Sequence, residues 1–495
     1  MSIYKKIIVL ISTTILSFIF ISQTFHVIAS SPKQSRGVLE YASTTHNDTC
    51  TVYKWFDPNT SSKEGELLLK NCSSCHIAYY KEWKDDKHSM SQNNPFFLEV
   101  YKRFKEDHPD KNGNCALCHN PEATLSGRDA PAGRLNDIDL RKRNAKKTNG
   151  ISCDFCHKIE SVDQNPFKKG VEGLNILRTC KGMKDIRFGP IKDSIKIERI
   201  DDETEQKYGE NEELKYNSLY KTSLICAKCH DGSNGNVQIY STFTEWANSP
   251  AAKKGVQCQS CHMKPGRDAL TERFSIVDNP NIKQKSRPYH QIHSHSFLSS
   301  NPHEFRKKYV DLMITVKTPH RGVSTNGNNI LIVTAKVSNN NFGHSFPTGS
   351  PMRNAILVID VKYKNRRDGV TPSLQPVQIK GPKLPIYAGN LKNKPGKLFA
   401  KILSETYSEY GTRFVGAHRG APGIRDIPPP DWWNVFIASD TRIMAGKSDI
   451  TTYEFEIPDH ARVEVTSTLR WRNTWPGLAK IKGIKLEEDI LFFVR

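Results

Sequence analysis

Apolar positions follow two different rhythms along this chain. Beyond about residue 305 they alternate with polar ones at a period of two, as strands with one buried face do. Val310 to Val316, Ile330 to Val337 and Ala355 to Tyr363 read this way. Tyr453, Phe455 and Ile457 alternate with Glu454 and Glu456, and Val463, Val465, Leu469 and Trp471 continue the pattern. Turn-forming residues such as Asn326-Gly327-Asn328 separate the runs. The pattern predicts an all-β, Ig-like antiparallel sandwich of about seven strands over residues 306–495. Gly411 to Trp433, rich in Pro, Gly and aromatics, is expected to be a long loop.

Before that boundary apolar residues come in short groups. Gly65 to Lys70 predicts a short helix, and Asn94-Pro95 reads as a helix start with Pro at the first helical position. Phe96, Phe97, Val100, Tyr101 and Phe104 then share one helical face. Asp201 to Glu213 is acidic and is expected to be an exposed loop or a surface helix. The fold expected for residues 30–305 is mainly α and loop-rich. Ahead of it, Lys5 and Lys6, the apolar run Ile7 to Ile21 and Val27-Ile28-Ala29 before Ser30 have the form of an export signal over residues 1–29. An uncleaved anchor is the alternative. No other segment is apolar enough to cross a bilayer, so no stable span is expected after cleavage, and the mature chain is expected in the periplasm or outside the cell.

Between Cys72 and His262 one word recurs five times: Cys72-Ser-Ser-Cys75-His76, Cys115-Ala-Leu-Cys118-His119, Cys153-Asp-Phe-Cys156-His157, Cys226-Ala-Lys-Cys229-His230 and Cys258-Gln-Ser-Cys261-His262. C-x-x-C-H is the attachment signature of c-type haem: two thiols bond the porphyrin edge and the next residue supplies the proximal imidazole. A zinc ribbon also pairs C-x-x-C but does not need His after each pair, and disulfide frameworks show no fixed word. The words use ten of the twelve cysteines and predict five covalent haems. Cys50 and Cys180 remain, to pair as a disulfide in an oxidising compartment, or with Cys180 instead lying near a haem as a free thiol or an iron ligand.

Composition agrees with a porphyrin-filled interior, since hydrophobic residues make up only 37% of 495. The formal charge is +20, less two if Lys5 and Lys6 leave with the signal. Such basicity usually points to nucleic acid. Here the propionates of five haems would offset much of it, so no nucleic-acid binding is expected. Arg141-Lys142-Arg143 with Lys146-Lys147 reads as a solvated face, able to steer an acidic redox partner protein.

Whether a haem iron carries electrons or also takes substrate depends on its second axial position. Of seventeen histidines, five belong to the words and His26 to the signal, so eleven remain for five irons. Methionine is scarce in the haem segment, with Met90, Met183 and Met263 alone. Mostly bis-His irons are therefore expected, with His88, His293, His295 and His344 as the distal candidates and His46, His108 and His303 in reserve. His290, His293 and His295 form a cluster, and His344 lies in a tight turn inside the sandwich, so as a ligand it would clamp sandwich to haem segment.

There is also internal repetition. Tyr80-Lys81-Glu82-Trp83 matches Phe243-Thr244-Glu245-Trp246, and Gly150-Ile-Ser-Cys153 matches Gly255-Val-Gln-Cys258. Aromatics at such points can wedge against porphyrin or pack ordinarily. The words, with Arg187-Phe188-Gly189-Pro190, Thr244-Glu245-Trp246, Gly343-His344-Ser-Phe-Pro-Thr-Gly349 and Asp440-Thr-Arg-Ile443, resemble the multihaem cytochromes related to cytochrome c-554 and hydroxylamine oxidoreductase. The resemblance implies closely stacked, mostly bis-His haems passing electrons in the periplasm or outside the cell; filament-forming cytochromes share that plan, so a homo-oligomer or filament is one implied assembly. The departures are five words where hydroxylamine oxidoreductase has more, no C-x-x-C-K as in pentahaem nitrite reductases, and no His between Ile191 and Asp202, where relatives often have one.

Two functions are consistent with these residues. The first is an electron carrier whose protein sets haem spacing, burial and potential. The alternative is an oxidoreductase acting on a small nitrogen or sulfur compound at one open haem, supported by that ligand gap; no catalytic constellation is identifiable. The carrier is the preferred reading, with the sandwich as a possible docking module.

Overall fold

The computed structural model describes residues 76–110, 113–126, 150–177, 185–192, 212–265, 291–298, 301–320, 329–340, 342–364, 374–405, 427–429, 433–459 and 461–495. The expected export signal, the helix over Gly65–Lys70, Cys50, Cys72, Cys75, Cys180, Met183, His46, His290, the basic run 141–147, the turn at 326–328 and most of 411–432 lie outside them. All described residues fall within one compact unit, Val52–Arg495.

The first described helices are α1 (Ile77–Lys84) and α2 (Pro95–Asp107). Asn94 caps α2 as expected: its side chain accepts the Phe97 N–H at 3.2 Å, and Pro95 opens the helix, where its missing N–H costs nothing. The aromatic stripe turns inward, burying Tyr101 and Phe104 against Ala116. Each haem word with described cysteines contains a short helix: α3 (Ala116–His119), α4 (Cys153–Cys156), α5 (Leu224–His230) and α7 (Cys258–His262), with α6 (Thr242–Ala247) between the last two.

The mainly α expectation for this half is wrong. Across the described residues 28% are helical and 37% are strand, and the strand is not confined to the sandwich. Three two-stranded sheets lie among the words. β1 (Ile159–Val162) pairs antiparallel with β2 (Leu174–Ile176), β3 (Asp185–Gly189) parallel with β4 (Glu212–Tyr216), and β5 (Asp231–Asn234) antiparallel with β6 (Val237–Ser241). Glu212 and Glu213, expected in a loop or surface helix, thus begin a strand. The physical reason is length. A word needs one helical turn to present its side chains, so the helices stay short, and the chain leaving a word satisfies its backbone polar groups with whatever segment lies alongside. β1 and β2 bury Ile159, Val162 and Leu174 against Leu117 and Phe155 of two words.

Ten further strands follow: β7 (Val310–His320), β8 (Asn329–Asn339), β9 (Asn354–Lys364), β10 (Val377–Lys380), β11 (Gly396–Phe399), β12 (Lys401–Glu405), β13 (Val435–Asp440), β14 (Ser448–Ile457), β15 (Arg462–Arg472) and β16 (Glu488–Val494). Eight make two four-stranded sheets, in the orders β10-β14-β8-β7 and β11-β9-β15-β16, one strand more than the pattern suggested. All pairings within these two sheets are antiparallel. Val333, Ala335 and Val337 of β8 and Tyr453, Phe455 and Ile457 of β14 meet Leu357, Ile359 and Leu469 of the facing sheet in a shared core. That is the period-two alternation acting as sheet-on-sheet packing.

The remaining pair, β12-β13, carries the sandwich onto the haem half. Leu403 and Val435 bury against Ile239 of β6. The Lys401 ammonium, itself buried, donates to the carbonyls of Gln238 and Ile239 at 3.2 and 3.0 Å and to the Ser241 hydroxyl at 3.0 Å. Among the described residues no helix is long and apolar enough to cross a membrane.

Candidate functional site

In one helical turn the first Cys of a word, the second three residues on and the His after it lie on the same face. The described cysteines are free thiols. Words far apart in sequence meet through them: Cys118 is within hydrogen-bonding reach of Cys229, and Cys226 of Cys258. All eight described word cysteines, with His76, His119, His157, His230 and His262, line one continuous cavity of about 2570 Å³. That is several times the roughly 300–1,000 Å³ of a pocket for one small ligand.

The distal candidates line the same cavity. His88 stands across from His230 with ring centres 6.2 Å apart, His295 from His157 at 6.3 Å, and His344 from His262 at 6.4 Å. Among the described residues no word histidine faces His293 at such a separation, and His119 lies flat against Phe97 at 3.8 Å. His108 packs on Phe104 at 5.1 Å, and His303 approaches Glu304 at 3.6 Å.

The backbone orients these rings. Nδ1 of His119, His157 and His262 bonds to the carbonyls of Ser91, Phe188 and Phe297 at 2.9, 2.8 and 2.8 Å. Nδ1 of His293, His295 and His344 bonds to the carbonyls of Met263, His293 and Ser345 at 2.6, 3.1 and 3.1 Å. A carbonyl oxygen only accepts, so Nδ1 must carry a proton, and in a neutral ring Nε2 then keeps the lone pair that binds metal. Burial, with neighbouring imidazoles adding to it, holds His230 and His295 down to about 3; burial, partly opposed by the Ser345 carbonyl, holds His344 at about 4. These rings are therefore neutral, the form a metal needs.

Three motifs from different parts of the chain converge behind His344. Glu245 Oε2 accepts the Ser345 N–H at 3.1 Å and the Thr348 hydroxyl at 2.7 Å, while Oε1 takes Arg442 Nη1 at 2.6 Å and the Ser241 hydroxyl at 2.6 Å. Arg442 is held in turn by Asp440. Burial opposes the Glu245 charge, but Arg442 and the hydroxyls outweigh it and pull the carboxyl down to about 2. Asp86, buried beneath His88, accepts from His88 Nδ1 and from the Phe297 N–H. Burial raises its pKa, yet those bonds hold it below the ordinary carboxylate value. Sequence reading singled out neither Glu82, Glu245 nor Asp86 as site residues. The repeated aromatic-x-Glu-Trp was the available signal for the glutamates; nothing local marked Asp86.

These residues fit c-type haem: paired thiols beside Nδ1-protonated, neutral imidazoles, all facing a large cavity. No three His, Cys, Asp or Glu among the described residues converge to hold a bare metal ion. Residues 71–158 and 179–263 match the family model "Cytochrome c554 and c-prime", less than half of the chain. No curated protein matches the sequence. Among solved structures, the penta-haem cytochrome c552 from Thermochromatium tepidum aligns with a TM-score of 0.54 at 17% identity, covering 86% of this chain and 97% of that one, a likeness of fold. Haem words, cavity, histidine tautomers and the match over part of the chain together support a multihaem c-type cytochrome that resembles the cytochrome c554 group.

Proposed function

We propose that this chain is an exported electron conduit holding five covalent haems in one cavity, with His88/His230, His157/His295 and His262/His344 as axial pairs. The ring-centre separations of 6.2, 6.3 and 6.4 Å carry the reading. Two imidazoles sharing one metal each hold a nitrogen about 2 Å from it, and each ring centre lies about 1 Å further out, so the centres stand about 6 Å apart. Haem supplies one-electron redox chemistry at its iron, and a second imidazole closes that iron to substrate.

The protein's own contribution is attachment, orientation and spacing. Cys72, Cys75, Cys115, Cys118, Cys153, Cys156, Cys226, Cys229, Cys258 and Cys261 anchor the porphyrins, and His76 and His119 complete the proximal set. Thiols of different words in mutual contact support closely spaced porphyrins, which suit electron hopping toward a redox partner protein. The leader over residues 1–29 supports export.

Pyridine haemochrome assay and intact mass should report five haems on a chain beginning near Ser30. Electron paramagnetic resonance of the oxidised protein should show at least three low-spin irons. Fewer than five haems, or fewer than three low-spin signals, would refute the reading.

A further inference from the structure

Two Glu-Trp dipeptides, in different parts of the fold, make the same pair of contacts. Glu82-Trp83 lies on α1 and Glu245-Trp246 on α6. The Trp83 indole donates to the Ile151 carbonyl at 2.8 Å, and the Trp246 indole to the Val256 carbonyl at 2.9 Å. Ile151 and Val256 each precede a haem word by two residues, the words that end in His157 and His262. The glutamates reach the other way. Glu82 Oε2 accepts the His295 N–H at 2.7 Å, and Glu245 Oε2 accepts the N–H of Ser345, next to His344, at 3.1 Å. His295 faces His157 and His344 faces His262. Each dipeptide therefore bridges the two sides of one histidine pair.

We propose that Glu-Trp is a repeated positioning device, in which Trp anchors the strand of chain entering a word and Glu anchors the loop that carries the opposing ligand. The proposal rests on the axial pairs above. The two histidines of each pair come from distant segments, so their separation needs a common reference. Adjacent residues on a helix point about 100° apart, which lets one rigid turn hold both segments at once. A backbone N–H donated to a carboxylate is roughly twice as strong as a neutral bond, which suits the contact to the loop. Glu82 is only 5% exposed, and Glu245 is enclosed by Arg442, Ser241 and Thr348. The device occurs where the sequence repeats, which gives the repetition a physical role other than stacking on porphyrin.

The test compares Glu82→Ala, Glu245→Ala, His295→Ala and His344→Ala in the haem-loaded protein by electron paramagnetic resonance. Each glutamate variant should turn one iron high-spin, matching the iron lost in the corresponding histidine variant, and added imidazole should restore the low-spin signal. If the histidine variants change spin state and the glutamate variants do not, the positioning role is refuted while the ligands stand. If the histidine variants change nothing, the axial pairs fall and this proposal with them. Should an alanine variant fail to accumulate, Glu82→Gln and Glu245→Gln keep an acceptor oxygen without the charge. In these, cyanide should displace the ligand at the affected iron about tenfold faster; an unchanged rate refutes the role.

Discussion

Asp86 Oδ1 lies 2.9 Å from His88 Nδ1, a carboxylate where every other described Nδ1 acceptor in the site is a backbone carbonyl. A carboxylate on Nδ1 makes the imidazole a stronger donor to metal and favours the oxidised ion. Replacing it with an amide should raise the midpoint potential of the iron proposed to lie between His88 and His230. Potentiometric titration of Asp86→Asn should move one wave upward by roughly 60 mV, the shift for a tenfold change in a one-electron equilibrium. Waves that all stay in place would show that the charge does not reach the iron.

His88 and His344 are each expected to hold one iron low-spin. Substituting either by Ala should convert a different single low-spin signal to high-spin, and the double variant should convert two. A spectrum unchanged by His344→Ala would detach the sandwich from the haem centre.

Glu122 is fully buried beside Ser152. Burial, opposed by the Ser152 bonds and reinforced by the Asp154 charge, pushes its carboxyl from 4.5 up to about 8. The folded protein thus retains a proton that the unfolded chain releases above about 4.5. The associated stability is complete below that pH and is lost as pH rises through about 8. Glu122→Gln should remove this dependence, worth at most a few kcal/mol. The fall in melting temperature between pH 5 and pH 8 should be smaller in the variant than in the parent; an equal fall would mean the group titrates normally.

Lys401→Met should loosen the contact between β12 and β6. It removes three donated bonds and leaves the acceptors of Gln238, Ile239 and Ser241 without that partner. The cost should be about 1–3 kcal/mol, read as a lower unfolding midpoint with haem content unchanged.

Much of this molecule is local, and local features were legible. The Asn94 cap and the stripe through Tyr101 and Phe104 predicted α2 because helix signals act within a few residues. The alternation in β7, β8, β14 and β15 predicted the sandwich because each of these strands buries one face, and β9 showed as a continuous apolar run. The small sheets β1-β2, β3-β4 and β5-β6 were missed because their strands are three to five residues long, too short for a period to register.

By itself the sequence determined the attachment chemistry, since C-x-x-C-H needs only one turn of chain to present its three groups. It also named a few histidines as candidates for the distal ligands. Tertiary structure alone decided which ring faces which, because the opposing imidazoles come from segments far apart along the chain. The same holds for Asp86, Glu82 and Glu245 and for the carbonyls of Ser91, Phe188 and Phe297. Their part in the site is a matter of distance and direction, which no pattern of neighbouring residues encodes.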